Sequence, residues 1–174
     1  MRIGELRALL GDYVGFVPGL LVTLVVAAIG GGWAGRVMHV GRAHGTILLL
    51  ALGVIVSATL TPGRDAILYG IQGSGTCDLS RIGFPPLWQF RFPSESLLNI
   101  LLFVPLGAAL GWCPPSRPKR IALIAAYAMP FAIEAIQLVV TPLGRECQSS
   151  DVIDNLTGLT IGVLVAVAGR VLLR

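Results

Sequence analysis

The chain has 174 residues, 55% of them hydrophobic and 13% charged, and a formal net charge of +4. A soluble domain carries about twice that share of charged residues, so composition excludes a soluble globular protein and indicates an integral membrane one. The basic surplus requires no nucleic-acid partner, because Arg and Lys beside membrane-spanning segments account for it.

Five apolar stretches approach or reach the roughly 20 residues that an α-helix needs to cross about 30 Å of hydrocarbon. In chain order they lie near Tyr13 to Trp33, Thr46 to Leu60, Leu97 to Trp112, Ile121 to Val140 and Val152 to Val171. The second and third are short and need tilt, local thinning or a re-entrant path. Backbone in hydrocarbon must satisfy its own hydrogen bonds, and without the alternation of barrel strands the segments are helices. The predicted fold is all-α: one polytopic membrane bundle of about five transmembrane helices, spanning 1–174 as a single domain.

Arg2 and Arg7 precede the first segment, which contains Ala27 and Ala28, so a cleaved signal peptide is its alternative reading. Glu5 and Asp12 in the would-be basic region weaken it. Cleavage would leave a four-helix bundle that still holds every polar feature. His39 and His44, in the following connection, are poorly spaced for one metal ion and are expected to be solvated.

The connection Thr61 to Ser96 is rich in Gly and Pro, then becomes aromatic in Phe84-Pro-Pro-Leu-Trp88-Gln-Phe90-Arg91-Phe92. Trp88, Phe90 and Phe92 alternate with Gln89 and Arg91, giving one apolar and one polar edge suited to the headgroup level. An aromatic anchor and a lid over a ligand are the two readings.

The third segment carries Asn99 near its start and Gly107-x-x-x-Gly111, and the fifth carries Gly158-x-x-x-Gly162. Paired glycines on one helix face let another backbone approach closely. In the fourth segment Glu134 lies about 10 Å inward from Thr141 and about 20 Å from Arg120 at 1.5 Å per residue. An ionisable group at that depth normally faces protein or water and has a partner. Gln137 shares its face at i+3, and Pro130 can kink the helix and free a carbonyl. Glu134 is either a proton-exchanging or ligand-binding carboxylate or a hydrogen-bonded pin for the bundle, and Arg145 in the next connection is its expected counter-ion. The fifth segment opens Ser149-Ser150-Asp151-Val-Ile-Asp154-Asn155. Asp151 can cap the helix, and Asp154 suits its positive first turn, which by itself explains Asp154. Asp151 and Asn155, at i and i+4, share a face with Gly158. That face is the one able to meet Asn99, Glu134 and Arg145.

Five crossings place Arg36, Arg42, Arg117, Lys119, Arg120, Arg170 and Arg174 on one side, and the remaining six arginines with all nine carboxylates on the other. The density of positive charge in the short loop Pro114 to Arg120 makes its side cytoplasmic, so the amino terminus is expected outside and the carboxyl terminus in the cytoplasm. Cys77 and Cys147 then share the oxidising side and can form a disulfide that pins the long loop over Arg145 and Asp151, whereas Cys113 lies at the opposite end.

In order and spacing, Asn99-Ile-Leu-Leu-Phe103-Val-Pro105-Leu-Gly107, then Glu134-x-x-Gln137, then Arg145 followed by Asp151-x-x-x-Asn155-x-x-Gly158-x-x-x-Gly162, resemble the VanZ-like family of bacterial membrane proteins over about residues 46 to 170. The resemblance implies a cell-envelope protein. The family's namesake accompanies glycopeptide-resistance genes and lowers susceptibility to teicoplanin and related lipid-tailed glycopeptides, and most relatives are stand-alone proteins. By position Asn99, Glu134, Gln137, Arg145, Asp151 and Asn155 match the family's polar residues, and the family supplies no catalytic assignment to transfer.

The sequence has no Cys and His metal spacing and no phosphate-binding glycine loop, so neither a metal nor a cofactor is expected. The expected partners are membrane lipids and an amphipathic molecule, lipid-linked or lipoglycopeptide, bound or excluded at the outer leaflet by Asn99, Glu134, Gln137, Arg145, Asp151, Asp154 and Asn155. The enzymatic alternative makes Glu134 and Asp151 an acid/base pair acting on a lipid-linked substrate. A small transporter is the third reading, opposed by the lack of charge in the cytoplasmic halves of the predicted helices.

Overall fold

The computed structural model describes residues 15–84 and 94–173. Five long helices dominate: α1 (Phe16–Val37), α2 (Arg42–Thr59), α4 (Glu95–Trp112), α5 (Arg117–Val139) and α6 (Ser149–Leu172). Each is long and apolar enough to cross a membrane, and their outward faces carry bare aliphatic side chains such as Ile29, Ile124 and Val139. Between them lie a short helix α3 (Arg64–Tyr69), a 3-10 turn (Thr141–Leu143) and two strands, β1 (Cys77–Asp78) and β2 (Cys147–Gln148). The protein is an all-α membrane bundle.

Apart from the first, the long helices begin earlier than hydrophobicity alone suggests, because polar residues start them. Ser94 accepts from the Leu97 N–H at 3.2 Å and Ser116 from the Lys119 N–H at 3.3 Å, satisfying amides that an uncapped helix leaves open. The second span opens at Arg42 rather than Thr46, and the third opens at Glu95, so both reach 18 residues. At 1.5 Å per residue that is about 27 Å, close to the full hydrocarbon thickness, and no re-entrant path is needed. His39, with φ of 55°, turns the chain between α1 and α2.

The bundle is built from two tightly packed pairs. α1 runs antiparallel to α2, and α4 runs parallel to α6. A Cβ added at Gly158 would lie 2.0 Å from the Ile100 carbonyl oxygen, and one at Gly107 would lie 2.1 Å from that of Leu159. Gly162 meets the backbone at Val104 and Ala108, and Gly111 meets Val163 and Ala166. The two glycine pairs therefore face each other, as their spacing suggests. The α1 and α2 pair uses the same device, with Gly31 and Gly35 against Gly45. α2 abuts α4, α5 lies along α6, and Ile55, Phe103, Ile133 and Leu159 from α2, α4, α5 and α6 fill the centre.

The two ends differ. At the basic end, Lys119 donates to the Gly111 and Cys113 carbonyls and Arg170 donates to those of Gly111, Trp112 and Cys113. Two cations thus complete the carbonyl-rich end of α4. His44 is not solvated: α2 begins before it, so the ring lies within the helix and its Nε2 is 2.8 Å from the Ala109 carbonyl oxygen. At the opposite, polar end the long connection folds onto the short one. The Gly63 N–H donates to Leu143 and the Gly73 N–H to Thr141 at 2.9 and 2.8 Å, and β1 pairs in parallel with β2. Within that pair Cys77 and Cys147 form the disulfide, their Cα atoms 4.5 Å apart. The stretch with Trp88, Phe90 and Phe92 lies outside the described residues.

Candidate functional site

The polar end brings together the end of α5, the start of α6, the start of α4 and the disulfide-tied loops. Glu134 and Gln137 lie on the inward face of the last turns of α5, and both are buried. The Glu134 Oε2 accepts from the Gln148 N–H at 2.7 Å, so this carboxylate fastens α5 to the entry of α6. Gln137 donates through Nε2 to the Thr59 carbonyl at 2.9 Å and so fastens α5 to the end of α2.

Asn99 lies within hydrogen-bonding reach of Asp151, whose carboxylate also interacts electrostatically with Asp154, Glu95 and Glu134. Ser150 donates to the Asp151 Oδ1 at 3.4 Å. Asp151 is not the helix cap: α6 starts at Ser149, with Gln148 at the cap position and no side-chain cap bond. Asp151 sits instead in the first turn, where the helix dipole favours a carboxylate.

Arg145 does not serve as the expected counter-ion. Its Nε and Nη2 donate to the Thr61 and Ala58 carbonyls at 3.3 and 3.1 Å, because the end of α2 presents bare carbonyls beside the short connection. Arg81 does meet a carboxylate: its Nη2 lies 2.5 Å from the Asp154 Oδ2. Arg81 also donates to Ser96 and to the Gly83 carbonyl, and Ser149 donates to the Arg81 carbonyl at 2.8 Å. The first-turn role that sufficed for Asp154 in the sequence is thus incomplete, since this residue is wholly buried and a buried carboxylate needs a cation. Arg81 was the missed residue. Its signal was Asp154 itself, a carboxylate in a membrane span, but Arg81 and Arg145 both occupy connections at that end and only the fold chooses between them.

The loops are fixed in turn. Glu146 accepts from the Ser74 N–H at 3.1 Å and from the Ser74 hydroxyl. Asp78 accepts from the Ser80 N–H at 2.8 Å, which holds its carboxyl below the ordinary value.

Three buried side-chain oxygens among the described residues have no hydrogen-bond partner: Gln137 Oε1, Asp154 Oδ1 and Asn155 Oδ1. All are acceptors, and all belong to residues of the polar end. Among the described residues no group of three or more His, Cys, Asp or Glu is placed to hold a metal ion.

Neither a curated protein nor a solved structure matches the chain. A model of the VanZ/LLP1 family matches residues 20–173, a wider range than the motifs from 46 to 170, so it takes in most of α1 as well. With four of the long helices, all but the first residues of α1 and the described polar end within that match, the chain belongs to the VanZ/LLP1 family.

Proposed function

We propose that this protein is a non-enzymatic envelope membrane protein whose polar end binds the head of an amphipathic molecule, lipid-linked or lipoglycopeptide, at the outer leaflet. The observation that carries the reading is the set of unpartnered acceptors on Gln137, Asp154 and Asn155. A buried acceptor without a donor costs about 1–3 kcal/mol, and a ligand bearing N–H or O–H groups offsets that cost. Among the described residues, Arg145 donates to the Ala58 and Thr61 carbonyls and Arg81 is held by the other oxygen of Asp154. The complementary head is therefore a donor-rich group, amine, amide or polyhydroxyl, rather than an anion. In the proposed orientation the amino terminus and this end face outward.

A second reading rests on the interaction of Glu134 with Asp151, which suits an acid/base pair acting on a lipid-linked substrate. Glu134→Gln separates the two. Gln keeps an oxygen for the Gln148 N–H, so the variant is expected to fold. Titration of purified protein with teicoplanin and with a lipid-linked cell-wall precursor should show binding by the native chain, weakened about tenfold in the variant by loss of a charge-assisted hydrogen bond. Unchanged binding with loss of a chemical conversion would support the enzyme instead. No binding of either probe by the native protein would overturn the proposal.

A further inference from the structure

Carboxylates from three helices gather at the polar end. Asp151, Asp154 and Asn155, at i, i+3 and i+4, share one face of the first turns of α6. Asn99 hydrogen-bonds the Asp151 carboxylate, which also interacts electrostatically with Asp154, with Glu95 of α4 and with Glu134 of α5. Glu95 is exposed, and Asp151 and Asn99 are half-buried, so this cluster reaches the surface. Asp154 and Asn155 do not, at 0% and 1% exposure.

Exposed carboxylates alone specify no ligand, because water and salt screen them. The buried pair is more demanding. Asp154 gives one oxygen to Arg81, while its Oδ1 and the Asn155 Oδ1 have no hydrogen-bond donor among the described residues. A head that satisfies this end must donate hydrogen bonds to those oxygens and carry positive charge toward the carboxylates. An amide or a sugar hydroxyl meets the first demand only, and a quaternary ammonium the second only. A primary ammonium meets both, with three N–H donors for the two bare oxygens and the Asp151 carboxylate. A metal ion is the poorer match, since among the described residues no group of three or more His, Cys, Asp or Glu is placed to hold one.

We propose that the head bound at the polar end is a primary ammonium, held by the bare oxygens of Asp154 and Asn155 and by the carboxylate of Asp151. This rests on the reading of the polar end as a binding site and narrows its donor-rich head to a cationic one, carried by a membrane lipid or by a lipoglycopeptide.

The full chain, reconstituted into phosphatidylcholine nanodiscs, is titrated calorimetrically with three amphiphiles of one chain length, protein-free nanodiscs giving the partition background. Dodecylammonium should bind at least about tenfold more tightly than N-dodecylacetamide, which donates without charge, and than dodecyltrimethylammonium, which is charged without N–H. Asp151→Asn keeps an oxygen for Ser150 and should lower the dodecylammonium affinity at least about fivefold with the acetamide unchanged. Glu95→Gln, at an exposed position, should lower it about twofold. Equal affinity for acetamide and ammonium would overturn the cationic head while leaving a donor-rich one in place. Equal affinity for the trimethylammonium would reduce the effect to surface charge and overturn the proposal, as would ammonium binding unchanged in both variants. Binding of none of the three would also overturn it, and the titration with teicoplanin and the cell-wall precursor then decides the broader reading separately. With the ammonium preference in hand, phosphatidylethanolamine added to the nanodiscs separates the carriers: competition assigns the ammonium to a lipid, and its absence assigns it to a lipoglycopeptide.

Discussion

Replacing Arg81 by Met removes the cation paired with the Asp154 carboxylate, whose side chain is 0% exposed where that of Arg81 is 22% exposed. Breaking a buried pair from one side leaves a desolvated charge and costs about 3–5 kcal/mol, whereas replacing both members by apolar residues is close to neutral. Arg81→Met alone is therefore expected to lower the stability of detergent-solubilised protein by about 3 kcal/mol, and the Arg81→Met, Asp154→Leu double variant to recover most of it. Thermal or denaturant unfolding of the four proteins in the cycle checks this. A loss below about 1 kcal/mol for the single variant would mean that Asp154 is protonated or otherwise partnered.

At the scale of the elements, glycine placement decides which helices meet. A Cβ at Gly158 would stand 2.0 Å from the Ile100 carbonyl oxygen, while one at Gly169 would make an ordinary 3.6 Å contact with the Trp112 ring. Gly158→Ala should force α4 and α6 apart and destabilise the protein by more than about 2 kcal/mol, a cost typical of overpacking. Gly169→Ala should be neutral or stabilising by up to about 1 kcal/mol, the helix-propensity gain of Ala over Gly. Similar losses in both variants, measured by unfolding in the same detergent, would show that propensity rather than close approach governs these positions. This contrast also shows what the sequence can reveal. Length and hydropathy suffice for five helices, and repeated small residues suffice for the α4 and α6 contact, because both are local patterns. Gly31 and Gly35 have that spacing as well, but Gly45 precedes the apolar stretch Thr46 to Leu60, so hydropathy alone leaves it outside the second helix and gives no sign of their contact. The counter-ion of Asp154 depends on how a long connection folds back, and so does the Arg145 contact with α2. No local pattern carries that information.

For the whole molecule, charge and redox chemistry point the same way. The disulfide between Cys77 and Cys147 closes a loop with a sequence separation of 70 residues, which by chain entropy stabilises the fold by about 4 kcal/mol. Such a bond persists where the compartment is oxidising, while the proposed orientation puts the loop with Arg117, Lys119 and Arg120 on the cytoplasmic side. Two exposed positions test the pairing of these arguments. Ile82 is 81% exposed at the polar end, and Pro115 is exposed at the basic end. In intact cells a membrane-impermeant maleimide should label Ile82→Cys and leave Pro115→Cys untouched until the membrane is permeabilised. The native cysteines give little background: Cys77 and Cys147 are joined, and Cys113 is fully buried, with burial raising its thiol pKa against the pull of Lys119 and Arg170. A protonated, inaccessible thiol reacts slowly with maleimide. Labelling of Pro115→Cys alone in intact cells would invert the bundle and put the polar end in the cytoplasm. Mass spectrometry of alkylated, non-reduced protein should then find Cys77 and Cys147 free, because a reducing compartment does not maintain the bond. The two measurements must agree, and a cytoplasmic polar end with an intact disulfide would break the link between redox compartment and orientation on which the outward assignment rests.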